Sequence, residues 1–268
     1  MKEQIWEQIV AVRRNSPLVH NITNYVVMNN TANALLAAGA SPVMAHAHPE
    51  VEAMVSIAGA VVINIGTLDE YWVKSMEMAA KYAFSTGKPW ILDPVGAGAT
   101  PYRDEVLKQL MQWKPTVIKG NASEIIALTN RNNIPTKGVD STHDSDDAIS
   151  AACLLNEQTG SVVCISGATD IIVDGERLVR LFNGHSMMGK ITGMGCTAAA
   201  LIGAFMAVDS DRFRATASAM ALLGVAGQLA AERSSGPGSL QMNLLDTLCQ
   251  MSSENFYSVL EIDDEDAE

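Results

Sequence analysis

Short runs of β-branched and apolar residues alternate with helical patterns along most of the chain, and that alternation leaves few architectures open. The strand-like runs are Leu18 to Ile22, Pro42 to Ala45, Ala60 to Ile65, Trp90 to Leu92, Thr116 to Ile118 and Val162 to Ile165. Between them lie helical stretches from Val26 to Ala38, Asp69 to Thr86 and Asp144 to Thr159, stopped by Gly39, Gly87 and Gly160. Glycine ends a helix because it enters the left-handed conformation without a Cβ clash. Strands separated by helices pair in parallel, so the expected fold is α/β, a mostly parallel central sheet with helices on both faces. Around Asp174-Gly175 two short runs, Ile171 to Val173 and Leu178 to Phe182, predict an antiparallel hairpin at one sheet edge. No repeat, linker or domain boundary interrupts the sequence, so a single domain over 1–268 is expected, ending in an acidic, solvated tail at 261–268.

Composition excludes several classes of partner. The net charge of −12 argues against nucleic acid and anionic membrane surfaces, although six acidic residues sit in the tail from Glu261 to Glu268 and leave the body less acidic. Cys153, Cys164, Cys196 and Cys249 show no C-x-x-C spacing, and the amphipathic, charged N-terminus carries no signal-peptide pattern. A cytoplasmic protein with reduced thiols is expected. The uncharged stretches Ile191 to Val208 and Ala215 to Ala231 approach bilayer-spanning length, but they are rich in Ala, Gly, Ser and Thr. They read as helices packed tightly against a sheet or another subunit.

Each strand run is followed by residues able to do chemistry: Asn21 to Asn24, Met44 to His46, Gly66-Thr67, Asp93-Pro94, Lys119 to Asn121 and Ser166-Gly167. In an open parallel sheet the carboxyl ends of the strands line the ligand crevice, so these residues should converge. Gly66, Thr67 and Gly167 also suit plain turns. Asp93, Lys119 and Glu124 are costly to gather without a ligand. The turn Thr192-Gly193-Met194-Gly195-Cys196-Thr197 feeds an apolar helix from Ala198 to Met206. Glycines there let backbone N–H groups converge at a helix N-terminus, which favours an anion, phosphate above all; the alternative is that Gly193 and Gly195 only shape a loop. Asn121-Ala-Ser-Glu124 opens a helix, and capping alone explains both residues. Beside Lys119 and Asp93, however, two carboxylates near an anion site suit Mg²⁺, which takes oxygen ligands and keeps several waters.

Rival motifs are weaker. Gly193-x-Gly195-x-x-Ala198 fits a relaxed dinucleotide fingerprint but follows no strand, and the acidic residues beyond it come after a helix. Gly184 to Lys190 nearly spells a P-loop, yet Ile191 stands where Ser or Thr must bind the metal. His46 and His48 have no third nitrogen or sulfur ligand nearby, and no G-x-S-x-G elbow occurs. A non-enzymatic ligand-binding protein stays open, because a pocket does not prove turnover.

N-x-x-E at Asn121 to Glu124, followed much later by T-G-x-G-C at Thr192 to Cys196, resembles the ribokinase-like superfamily, and the chain from about Asn21 to Leu245 looks like the hydroxyethylthiazole kinase family. Further segments carrying the resemblance are Asn21 to Val27, Gly39 to Ala45, Asn64 to Leu68, Ile91 to Thr100, Lys119 to Glu124 and Asn183 to His185. The resemblance implies a three-layer fold and ATP-dependent phosphorylation of the primary alcohol of hydroxyethyl-methylthiazole with Mg²⁺, in a homotrimer whose active sites lie between subunits. Met44 and Gly193 match the family's thiazole-binding positions, with Asn24 a further candidate on the substrate side. Lys119 and Ser166 match its ATP-binding positions, and Asn121 lies beside them. Asp93 and Glu124 would hold the metal, while Gly193, Gly195 and Cys196 would receive charge at the reacting phosphoryl. Many relatives carry Arg at the place of Lys119 and Thr at that of Ser166; a point charge keeps the attraction but loses the bidentate geometry. Most sugar kinases of the superfamily carry Asp where Cys196 stands. A helix N-terminus lowers a thiol's pKa, so Cys196 reads either as the proton acceptor or as a polar wall.

Overall fold

The computed structural model describes residues 1–130 and 144–265. Among these residues, nine strands form one sheet: β1 (Leu18–Ile22), β2 (Ser41–Val43), β3 (Ala60–Asn64), β4 (Trp90–Asp93), β5 (Val117–Asn121), β6 (Val162–Ser166), β7 (Asp170–Asp174), β8 (Arg177–Leu181) and β9 (Ile262–Glu265). Their order is β2-β1-β3-β4-β5-β6-β7-β8-β9. β1 to β6 pair in parallel, so their carboxyl ends open along one edge. The β7–β8 hairpin forms as the sequence predicts, with Gly175 at φ 66° in its turn.

The acidic tail departs from expectation. Its residues Ile262–Glu265 form β9, antiparallel to β8, so the hairpin is not the sheet's edge. An otherwise open β8 edge offers unpaired backbone groups. Charged side chains suit an edge strand, and Asp263 lies 3.9 Å from Arg180 on β8. Residues 266–268 of the tail lie outside the described residues.

Helices cover both faces. On one lie α1 (Lys2–Asn15), α2 (Met28–Ala38), α8 (Met194–Met206), α9 (Arg212–Glu232), α10 (Pro237–Gln250) and α11 (Ser253–Val259). The other carries α3 (His48–Ile57), α4 (Glu70–Thr86), α5 (Pro101–Met111), α6 (Ala122–Asn130) and α7 (Asp144–Thr159). The two-residue period of β3 serves both: Ala60 and Val62 enter the first core, Val61 and Ile63 the second. The glycine stops hold, with Gly39, Gly87 and Gly160 at φ 96°, 67° and 70°. Helices α3, α5, α10 and α11 are absent from the sequence reading; the first three carry proline in the first turn.

The small-residue run of α8 is explained by its contact with the sheet. A Cβ on Gly203 would lie 2.7 Å from Val62 Cγ2 and 2.9 Å from Val19 Cγ1, so the helix rides directly on β1 and β3. That close seat draws the N-terminus of α8 down toward the strand ends. Among the described residues no helix is long and apolar enough to cross a membrane.

Candidate active site

Three neighbouring strand ends are joined by a chain of side-chain amides. Asn24, just past β1, donates to Asn64 Oδ1 at 2.7 Å; Asn64, the last residue of β3, donates to Asp93 Oδ2 at 2.5 Å. Asn64 Oδ1 also accepts the Gly66 N–H at 2.9 Å. Asn24, Asn64 and Asp93 are all buried, so each of their polar atoms needs its neighbour. Burial lifts the Asp93 carboxyl from its ordinary range, the Lys119 ammonium pulls it back, and Glu124 adds to the rise; the result is about 6.

On the other side of Asp93 stands Lys119, on β5 and only 3% exposed. Burial pulls its pKa down, but Asp93, Cys164, Glu124 and Cys196 outweigh it, so it lies above the usual value and carries its charge. Its Nζ would be 2.8 Å from a Cβ on Gly195, so the ammonium rests against the first turn of α8. That turn starts at Gly193, where φ is 80° and a Cβ would come within 2.2 Å of Val27 Cγ1. Both the left-handed backbone and the missing side chain are required there. The first intrahelical bond is Thr197 N–H to Gly193 O, at 2.9 Å, and the amides before it have no helical acceptor. An ammonium and these amides together make an anion site.

Cys196 Sγ lies 3.5 Å from Asn24 Nδ2. Burial, and then the Asp93 charge, push the thiol up to about 11, so Cys196 keeps its proton near neutrality. Burial and the Asp93 charge outweigh the lowering expected at a helix end, which disfavours Cys196 as proton acceptor near neutrality. Asn24, expected on the substrate side, spends its amide on Asn64 and Cys196.

Asn121 and Glu124 form a reciprocal helix cap: Asn121 Oδ1 accepts the Glu124 N–H at 2.9 Å and Glu124 Oε2 accepts the Asn121 N–H at 2.8 Å. The Asn121 side-chain oxygen is thus engaged in the cap. Glu124 Oε1 accepts the Gly96 N–H at 2.9 Å, which ties the loop after β4 to α6. A carboxylate has about four acceptor positions, so Glu124 keeps capacity for a water or cation. Among the described residues no cluster of three or more His, Cys, Asp or Glu could hold a metal by itself. Asp93 and Glu124 form an oxygen-only pair of the kind that suits Mg²⁺ completed by waters and phosphate.

A cavity of about 560 Å³ opens beside this centre. Its lining includes Ser166, Asp170 and Gly195 together with Phe182, Met188 and Gly224. Ser166 Oγ reaches Gly120 O at 3.4 Å. The structure therefore brings Ser166, Lys119, Gly193, Gly195, Cys196, Asp93 and Glu124 around the head of α8. Met44 is not among the cavity residues; it follows edge strand β2, and its carbonyl contacts His46 Nδ1 at 3.3 Å. Asn64 was missed as a site residue. Its signal was a polar residue closing the apolar run Ala60 to Ile63.

Known proteins share this fold. Pyridoxal kinase from Staphylococcus aureus, in complex with pyridoxal, superposes with a TM-score of 0.64 over 92% of this chain and 98% of that one, at 16% identity. A ribokinase-like superfamily protein from Enterococcus faecalis V583 gives 0.66 over 90% and 89%, at 15% identity. The fold is thus that of the ribokinase-like kinases. Residues 9–254 match the hydroxyethylthiazole kinase family, and the chain belongs to it. A hydroxyethylthiazole kinase from Syntrophus aciditrophicus is 54% identical over 261 residues, 97% of each chain. The structure of a hydroxyethylthiazole kinase protein from Pyrococcus horikoshii OT3 shares 42% identity and a TM-score of 0.92, covering 99% of this chain and all of that one.

Proposed function

We propose that this protein, as a single kinase domain, transfers the γ-phosphoryl group of ATP to the primary alcohol of 4-methyl-5-(2-hydroxyethyl)thiazole, a salvage step toward thiamin. The observation that carries the reading is the Lys119 ammonium against the first turn of α8, with Asp93 at the end of β4 and Glu124 in the first turn of α6. In this reading the nucleotide occupies the 560 Å³ cavity, its phosphates running from Ser166 toward Gly195. The alcohol approaches from the Met44 and Asn24 side, in line with the bond that breaks. As the bridging oxygen of ADP leaves, charge on the transferred group meets the N–H groups of α8 and the Lys119 ammonium, which are already in place.

Bound Mg²⁺ would neutralise phosphate oxygens, with Asp93 and Glu124 as its protein anchors through direct or water-mediated contacts. A loose phosphoryl-transfer transition state asks little of a base, so a protonated Cys196 is no obstacle: the hydroxyl proton leaves late, to an oxygen of the transferred phosphoryl and from there to water. The thiol instead donates toward Asp93.

A homotrimer with shared active sites is part of the same proposal. Tyr25 and Val26, directly after Asn24, are 56% and 63% exposed, and Leu36 on α2 is 59% exposed, beside edge strand β2. Apolar side chains so close to the alcohol's approach suit burial by a neighbouring subunit. The four unpaired cysteines suit the cytoplasm. The test is ADP release with ATP and Mg²⁺ against the thiazole alcohol, hydroxymethylpyrimidine, pyridoxal and ribose. Preference for the thiazole supports the reading; ADP release indifferent to every alcohol rejects it. Light scattering on the purified protein checks the trimer.

A further inference from the structure

Arg103 reaches from α5 into the space between two strand-end loops. Its Nη1 donates to Ile65 O at 2.5 Å and to Val95 O at 2.8 Å, and its Nη2 donates to Gly66 O at 2.9 Å. Ile65 and Gly66 follow β3, whereas Val95 follows β4. One side chain therefore binds three backbone carbonyls from two loops. α5 itself is well held: its cap Thr100 accepts the Arg103 N–H at 3.3 Å, Asp104 accepts the Gly98 N–H at 3.1 Å, and Leu107 and Leu110 are buried.

Each tied loop carries a group that orients a carboxylate of the centre. The Gly66 N–H sits on Asn64 Oδ1, and Asn64 donates to Asp93. The Gly96 N–H sits on Glu124 Oε1. Arg103 also packs under that second loop, with its Cδ 3.5 Å from where a Gly96 Cβ would be. The guanidinium thus stands behind both carboxylates, and its hydrogen bonds go to backbone carbonyls rather than to either of them. A planar fork with several fixed donors suits carbonyls converging from two directions, and a lysine ammonium does not.

We propose that Arg103 is a positioning residue, setting the separation of Asp93 and Glu124 so that the two can share one cation. The inference rests on the reading of those carboxylates as the metal anchors. With Arg103 removed, the loops after β3 and β4 uncouple, and Glu124 loses the fixed N–H that aims one of its oxygens. Cation use suffers. The alcohol, which approaches across β1 and β2, is little affected.

The test uses the full chain with Arg103→Met and Arg103→Lys. Hydrogen exchange should quicken in peptides spanning 64–67 and 94–99 and stay as in the wild type in β1 and β5. Mn²⁺ binding to the ADP-loaded protein, followed by electron paramagnetic resonance, should weaken about tenfold or more in Arg103→Met, the size typical when a residue behind a metal ligand is lost. Arg103→Lys should fall between, because a point charge satisfies only part of the carbonyl set. In the kinase assay half-saturating Mg²⁺ should rise by a similar factor, with the KM for the alcohol within about twofold. Wild-type exchange and Mn²⁺ affinity in both variants would overturn the proposal. So would faster exchange throughout the protein, which marks a general loss of stability; should Arg103→Met fail to fold, Arg103→Lys decides. An inactive wild type would refute the function instead, and the exchange and Mn²⁺ measurements would still judge Arg103.

Discussion

Replacing Gly195 with alanine places one methyl group where the anion site is tightest. The new Cβ would lie 2.8 Å from Lys119 Nζ, whereas ordinary contacts begin at 3.4 Å. Gly195 lies within α8, whose backbone accepts alanine, so the strain falls on the ammonium rather than on the helix. Lys119 is 3% exposed and is held by the negative groups around it, so its head can only shift within the site. A displacement of about 0.6 Å, from roughly 3 Å to a phosphate oxygen, weakens a unit-charge attraction by about 1 kcal/mol at an effective dielectric constant near 20. A phosphoryl group bearing about two charges roughly doubles this, and full loss of one preorganised donor costs about 2.7–4 kcal/mol. The expected result is a kcat lowered by about tenfold to a few hundredfold, with the melting temperature within about 2 °C of the wild type. Steady-state ADP release and a thermal melt measure both. A kcat within twofold of the wild type would refute the placement of the reacting phosphoryl at Gly195 and Lys119.

The Asp93 carboxyl, at about 6, sets an acid limb: kcat/KM should fall as pH drops through about 6. A raised carboxylate contributes stability below its unfolded value of 3.8 and loses it as pH rises through about 6, so this limb should appear with the fold intact by circular dichroism. Unfolding over the same range would refute the assignment. In Gly227→Ala the added Cβ would stand 2.2 Å from Met188 Sδ. The flexible methionine should yield into the cavity and raise the KM for ATP about three- to tenfold without changing that for the alcohol; an unchanged ATP KM removes the nucleotide from this cavity. Cys196→Ser should keep kcat within about fivefold, and Cys196→Ala should stay measurably active. A loss of about a hundredfold or more with normal folding would restore the obligatory base.

Much of this fold is local in origin and was legible for that reason. Strand runs, glycine stops and the Asp174-Gly175 hairpin depend on neighbours a few residues away. The clustering of Asp93, Lys119 and Ser166 at one sheet edge followed from parallel pairing, which the alternation of elements already required. The cap at Asn121 and Glu124 was legible as well. That Glu124 also holds the loop at Gly96 was not, because that contact joins residues 28 apart in sequence.

What the amino-acid order determined alone was the parallel strands, the hairpin, the glycine-stopped helices, the edge on which chemistry collects and the glycine turn ahead of α8. Tertiary structure decided the rest: that Asn64 bridges Asn24 and Asp93, that Arg103 ties two loops, and that the tail adds a strand. It also decided the state of Cys196. A rule about helix ends acts through one turn of backbone, but the proton on that thiol answers to burial and to a carboxylate 103 positions away in sequence. Desolvation and charge act through space, and only folding sets those distances.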